Sequence, residues 1–156
     1  MRIRPANRGE VPFLAQLWYD GWQDAHRNVV PKELARARTL DSFADRLLLA
    51  LDRTFVARNG SDALGFYMLK GDELDQFYVS SAARGTGLAG ALISDAEARM
   101  RENGTTVAWL ACAIGNDRAA RFYEKSGWQR AGVVISHLDT IHGPFDLEVW
   151  RYEKRL

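Results

Sequence analysis

At 156 residues, 47% of them hydrophobic and 26% charged, the chain has the size and composition of one globular domain, residues 1–156, with enough apolar material for a core. Its formal net charge of +1 gives no electrostatic reason to expect nucleic acid or an anionic membrane as the main partner. The single cysteine, Cys112, excludes an intrachain disulfide framework, and no apolar run could span a bilayer or serve as a signal-peptide core, so a cytoplasmic location is the default expectation.

Residues 2–4 are a candidate first strand, ended by Pro5, and Asn7 can cap the helix that follows. Val11, Leu14, Ala15, Trp18, Trp22 and Ala25 recur at helical spacing and form one apolar stripe. Pro31 interrupts the pattern. A second helix is predicted over about 41–51, with Phe43, Leu47, Leu48 and Leu51 on its buried side. Residues 54–58, 63–70 and 74–79 are strand-like and are separated by Asn59-Gly60 and Gly71-Asp72 turns, which predicts an antiparallel meander.

A glycine-rich segment, Ala-Ala-Arg-Gly-Thr-Gly-Leu-Ala-Gly at 82–90, then leads into a helix-like run over 88–100. The stripe Leu88, Ala89, Leu92, Ile93, Ala96 and Met100 predicts its buried face, and Asn103-Gly104 ends it. Residues 107–112 are nearly all apolar, as expected of a strand covered on both faces. Strand, helix and strand over 74–112 predict a crossover joining parallel strands. Asn116 caps a short helix over 117–126, Gly127 stops it, and residues 128–138 and 146–151 are the last strands, joined across His142-Gly143-Pro144.

A glycine turn that opens a helix can cradle phosphate, because small residues admit the ligand to the backbone and the first amides of the helix are free. Two chemistries fit the letters. Gly85, Gly87 and Gly90 spell the dinucleotide pattern G-x-G-x-x-G, and Arg84, Gly87 and Ala89 spell R-x-x-G-x-A, a pattern of coenzyme A pyrophosphate sites. A dinucleotide fold would place the turn at the end of the first strand of a repeated strand–helix series and an acidic ribose partner at the end of the next strand. Here the turn follows a meander, and the next strand ends in Ala111-Cys112-Ala113. Gly90 is then expected to serve close helix packing.

A second motif decides between the two. Residues 116–128, Asn-Asp-Arg-Ala-Ala-Arg-Phe-Tyr-Glu-Lys-Ser-Gly-Trp, resemble the N-x-x-A-x-x-F-Y-x-x-x-G-aromatic signature of the GNAT acetyltransferases. With Phe77-Tyr78-Val79 and the turn from Arg84 to Ala89 before it, the resemblance covers residues 74–128 closely, and the order of elements extends it to the whole chain. It implies an α/β GNAT fold: a mixed, mostly antiparallel sheet of six to seven strands with one splayed parallel pair, flanked by about four helices. It also implies an enzyme that moves an acetyl group from acetyl-CoA directly to an amine, with no metal; His26, His137 and His142 show no metal spacing. Family members are often dimers, so a homodimer is an expectation too.

By this resemblance Phe77, Tyr78 and Val79 would pair through their backbone with the pantetheine arm. Arg84, Gly85, Thr86, Gly87, Leu88 and Ala89 would hold the pyrophosphate. Asn116, Ala119 and Phe122 would complete the cofactor contacts, and a backbone N–H near Val79 would face the oxyanion formed during transfer. Tyr123 matches the family's acid for the departing thiolate; as a side chain on its own it also reads as a core aromatic. Glu73 and Asp75 are the nearest carboxylates to serve as base, with Glu73 favoured, and a water relay is an equal alternative because residues 76–79 contain no carboxylate. His26 follows Trp18 and Trp22 at four-residue spacing on the first helix, where the family walls its acceptor site. Cys112, in an apolar strand, reads as a structural thiol. The acceptor itself stays open among a protein N-terminus, a polyamine, an amino acid, an aminoglycoside-like compound and other small amines, as do another acyl-CoA donor and a CoA-binding module without transfer activity.

Overall fold

The computed structural model describes residues 1–156. In chain order the elements are β1 (Arg2–Pro5), α1 (Val11–His26), α2 (Lys32–Ala37), α3 (Leu40–Leu49), β2 (Thr54–Asn59), β3 (Asp62–Lys70), β4 (Glu73–Val79), α4 (Leu88–Glu102), β5 (Val107–Ala113), α5 (Asp117–Lys125), β6 (Gln129–Thr140) and β7 (Gly143–Arg155). They form a seven-stranded sheet in the order β1-β2-β3-β4-β5-β7-β6. β1 to β4 are antiparallel neighbours, as are β5, β7 and β6, and β4–β5 is the parallel pair. No helix is long and apolar enough to cross a membrane.

The sheet carries a core on each face. Under α4 and α5, Leu92, Ile93, Ala96, Met100 and Tyr123 pack on Tyr67, Leu74, Leu110 and Cys112. Under α1, α2 and α3, Leu14, Trp18, Leu34, Phe43 and Leu47 pack on Val56, Phe66 and Met68. Strand alternation feeds both cores: Phe66 and Met68 go one way from β3, Tyr67 and Leu69 the other. Glu10 ties the sheet edge to the start of α1, accepting from Arg4 at 2.9 Å and from Arg58 at 2.6 Å.

Several local expectations are corrected. Beyond Pro31, where no helix was expected, the chain forms α2, whose Leu34 and Ala37 are buried, which makes five α-helices in all. α1 has already ended at His26, and Pro31 stands at the N-cap of α2, where its missing N–H costs nothing. Asn7 caps the short 3₁₀ turn Arg8–Glu10, which leads into α1. Leu48 is 42% exposed and Leu51 lies in a 3₁₀ turn after α3; the buried side of α3 is Phe43 and Leu47, closed by Ala50. β5 is buried mainly on one face, through Ala108, Leu110 and Cys112; on the other face Val107 and Ala111 are exposed and only Ala113 is buried. Ala89 is half-buried, and Gly90 packs against nothing: a Cβ there would meet no atom within 4 Å.

One irregularity shapes the site. Met68 pairs with Gln76 and Leu69 with Leu74, which leaves Asp75 as an extra residue in β4. The bulge reverses the alternation before it. Leu74 joins Phe77 on the α4 side, and Glu73 shares a cavity with Gln76 and Tyr78 on the other.

Candidate functional site

β4 and β5 pair only at Glu73 and Trp109, where the Trp109 N–H donates to the Asp72 carbonyl at 3.0 Å. Beyond that point the two strands diverge, so residues 76–79 keep a strand backbone with β3 on one side and no strand on the other. A cleft of about 640 Å³ opens in this wedge, walled by Phe77, Tyr78 and Val79 of β4.

The glycine turn forms the floor of the cleft. Gly85 and Gly87 lie in the left-handed region, with φ of 76° and 82°, where a side chain is strained. Gly87 caps α4, and the first helical amide to find an acceptor is that of Ala91, which donates to the Gly87 carbonyl at 3.2 Å. The amides of Leu88, Ala89 and Gly90 are therefore free donors at the positive end of a 15-residue helix. Arg84, Gly85, Gly87, Leu88 and Ala89 all line the cleft. Thr86 does not; its hydroxyl turns back to the Ala83 carbonyl.

The start of α5 closes the opposite wall around a capping side chain: Asn116 Oδ1 accepts from the Ala119 N–H at 3.4 Å, and the Asp117 N–H donates to the Gly115 carbonyl at 2.9 Å. Asn116, Ala119, Phe122 and Tyr123 reach the same cleft. Phe122 stacks on Phe77 at 5.5 Å between ring centroids, and Tyr123 meets Phe77 edge-on at 6.3 Å. Tyr123 is 9% exposed, and burial pushes its hydroxyl above the ordinary tyrosine value. It stays protonated at neutral pH and can only give a proton. At the mouth, Asp24 of α1 receives Arg84 at 2.8 Å and Arg118 at 3.3 Å.

A second cavity, about 180 Å³, lies deeper in the wedge and meets the first at Phe77, Tyr78, Asn116, Ala119 and Tyr123. His26 and Glu73 line it. Burial, reinforced by the Asp75 charge, raises the Glu73 carboxyl to about 7, the range that suits a base at neutral pH. Asp75 is held by Arg53 at 2.7 Å. His26 Nδ1 is buried without a hydrogen-bond partner, and burial, aided by Arg38, lowers the ring to about 4, so the imidazole is neutral at pH 7. Cys112 reaches this wall too; burial pushes its thiol up to about 12, far from an ionised nucleophile.

Sequence reasoning missed the rest of this cavity: Arg38, Arg46, Ser136, Leu138 and Leu147 come from elements up to a hundred residues apart. It also missed two glycines that seat Tyr78. A Cβ on Gly21 would come within 2.8 Å of the Tyr78 ring, and one on Gly65 within 2.8 Å of the Tyr78 carbonyl. Neither has a positive φ, so no turn signal marks them.

The comparisons with known proteins agree with this architecture. Residues 15–128 match the model of the acetyltransferase (GNAT) family. An uncharacterized N-acetyltransferase of Mycobacterium bovis is 32% identical over 105 residues, 64% of this chain and 67% of that protein. Among solved structures, a GCN5-related N-acetyltransferase of Rhodopseudomonas palustris superposes with a TM-score of 0.77 at 21% identity, covering 99% of this chain and 95% of the other. The PaiA N-acetyltransferase of Thermoplasma acidophilum, solved in complex with coenzyme A, superposes with a TM-score of 0.74 at 18% identity, covering 99% and 98%. The chain belongs to the GNAT acetyltransferase family.

Proposed function

We propose that the protein is an acetyl-CoA-dependent N-acetyltransferase that moves the acetyl group directly to a primary amine. The observation that carries this reading is the wedge: a strand edge left unpaired beyond Glu73 runs straight into the free amides of α4. A pantetheine arm has amides that suit such an edge, and a pyrophosphate suits helix amides whose neighbouring glycines carry no Cβ. The residues present therefore fit the cofactor. Acetyl-CoA supplies an acyl group already activated as a thioester.

The remaining steps fall to the chain. Phe77, Tyr78 and Val79 orient the donor along β4, and a β4 amide near Val79 faces the acyl oxygen as its charge develops. Arg84 to Ala89 hold the phosphates, with Asn116, Ala119 and Phe122 on the facing wall. Glu73, ionised above about pH 7, takes the proton from the incoming ammonium through the smaller cavity. Tyr123, at the junction of the two cavities, gives its proton to the departing sulfur, whose free thiol has a pKa of about 8.5. His26 walls the acceptor side.

Thermal unfolding of the whole chain with acetyl-CoA, CoA or NAD tests the donor. Saturating CoA at a hundredfold excess over Kd should add about 2.7 kcal/mol of stability. Stabilisation by NAD and not by CoA would overturn the reading. Thiol release with a broad amine panel tests the transfer; CoA binding with no release for any amine would leave a binding module.

A further inference from the structure

Within the acceptor cavity two arginines stand outside any ion pair, with Asp139 near Arg38 and Asp75 near Arg46 beyond ion-pair distance. Arg38 follows α2 and is 4% exposed; its one side-chain hydrogen bond is to the Asp139 carbonyl, at 2.9 Å. Arg46 lies on α3, half-buried, with its guanidinium 4.4 Å from the Trp18 ring centroid and 5.6 Å from that of Phe43. Neither takes part in any ion pair of the chain. The one aspartate on the cavity wall, Asp75, is already engaged by Arg53. A guanidinium offers five N–H donors. Arg38 uses one, and Arg46 uses none on a hydrogen-bonding partner in the chain.

Burying cationic charge without an anion is costly, and two such charges sharing a wall raise the cost. The aromatic face under Arg46 offsets part of it but supplies no hydrogen-bond acceptor. The carboxylate at Glu73 does not answer the pair: it belongs to the start of β4, and the charges acting chiefly on it are those of Asp75, Lys70, Arg53 and Arg151. The cavity thus presents a carboxylate toward an amine and, from α2 and α3, an arginine pair toward something else. Its volume, about 180 Å³, lies below the ~300 Å³ at which drug-sized pockets begin, so a single small molecule or one terminal residue fills it.

Resting on the transferase reading above, we infer that the acceptor is an amine that also carries a carboxylate, a free amino acid, with its carboxylate held between Arg38 and Arg46. Planar guanidinium forks match a carboxylate in paired hydrogen bonds. The amine then lies toward Tyr123 and the cavity junction. Polycations are repelled by the same pair, which separates this acceptor class from polyamines and aminoglycosides.

The test uses matched acceptors. Acetyl-CoA turnover by the whole chain is followed by thiol release with amino acids, each beside its own carboxamide (glycine with glycinamide, and onward through the common side chains), and with spermidine. The preferred acid should exceed its amide in kcat/KM by about ten- to a hundredfold, the range expected when a buried site forgoes a charge-assisted hydrogen bond. Arg46→Gln and Arg38→Gln should each shrink that acid-to-amide ratio to within about threefold, and Arg46→Lys should retain part of it. Because the ratio is taken within each variant, a partial loss of folding cancels. Equal rates for acid and amide, a preference for spermidine, or ratios untouched by both substitutions overturn the inference while leaving the transferase intact. Absence of thiol release with every amine is failure of the transferase reading instead. Binding of N-acetyl amino acids and their amides to the CoA complex then decides the carboxylate site: tighter binding of the acids, abolished by Arg46→Gln, supports it, and equal or absent binding overturns it.

Discussion

The two cavities that meet at Tyr123 are built in opposite ways. The larger one is built chiefly on backbone: an unpaired strand edge, two left-handed glycines and the free amides of α4, with α5 and the end of α1 closing its sides. The smaller one is made of side chains, with His26, Arg38, Arg46, Glu73, Ser136 and Leu147 arriving from six separate segments. A backbone site demands particular letters in particular order, because only glycine tolerates the turn and only a helix start frees the amides. A side-chain site demands only that someone supply the group.

The largest effect should come from Tyr123, the hydroxyl among the residues of α5 that both cavities share. Tyr123→Phe keeps the ring that packs on Phe77 and Trp128 and removes the proton. Turnover should fall by about 10²–10⁴-fold while calorimetry gives an unchanged Kd for CoA. Unchanged turnover would remove the acid role and leave Tyr123 as a core aromatic.

Next comes Glu73 on the acceptor side. Its carboxyl is raised from 4.5 to about 7 by burial first and by Asp75 second. Only the ionised form accepts a proton, so kcat/KM should climb through pH 7 to a plateau. Glu73→Gln should erase that limb and cost about 10²-fold on the plateau, leaving any rise from the acceptor amine's own titration. Stability should move the other way. The folded state holds this proton to higher pH than the unfolded chain does, so ionisation weakens folding as pH rises between 4.5 and about 7. Glu73→Gln should therefore melt higher than the parent at pH 8 and alike at pH 4. A pH profile that keeps its limb in the variant would return the proton transfer to water or to Asp75.

The same contrast explains what could be read from the letters. The meander and the crossover followed from turn dipeptides and local periodicity, and the wedge from the family resemblance that the motifs at 82–90 and 116–128 carry. The bulge at Asp75 carries no local mark, and it puts Glu73 on the same side of β4 as Gln76 and Tyr78, in the wall of the smaller cavity. No motif marks Arg38 or Arg46; only the fold brings them to the same cavity wall as residues of β4, β6 and β7. The apolar run at 107–112 suggested a doubly covered strand, but the splay from β4 leaves Ala111 open. Apolarity there serves a cavity wall, which composition does not distinguish from a core.

A smaller effect separates the two glycine patterns. Gly87→Ala forces a side chain into a left-handed backbone, at about 1–2 kcal/mol, and should weaken CoA binding roughly tenfold with a modest drop in Tm. Gly90 is helical, and a Cβ there meets nothing in the chain. Gly90→Ala should stabilise the protein by up to ~1 kcal/mol through helix propensity and leave the Kd for CoA as it was. A loss of CoA affinity in Gly90→Ala would mean that the ligand itself uses the space, and that all three glycines belong to the site.

The smallest effect tests whether the backbone site has any side-chain control at all. Asp24 holds Arg84 and Arg118 across the mouth of the cleft, at 2.8 and 3.3 Å, and all three side chains are about half exposed or more. Its carboxylate sits between two cations that a phosphate would otherwise recruit, and the pair holds it below the usual aspartate range. If Asp24 competes with phosphate, Asp24→Asn frees both guanidiniums. Exposed pairs are worth roughly 0.2–1 kcal/mol each, so the Kd for CoA should tighten by about two- to fivefold at low salt and converge with the parent as salt screens the charges. Weaker binding in Asp24→Asn would give the carboxylate the opposite task, holding the arginines in place for the ligand. In either case the change should stay within the larger cavity, and the acid-to-amide preference set by Arg38 and Arg46 should not move.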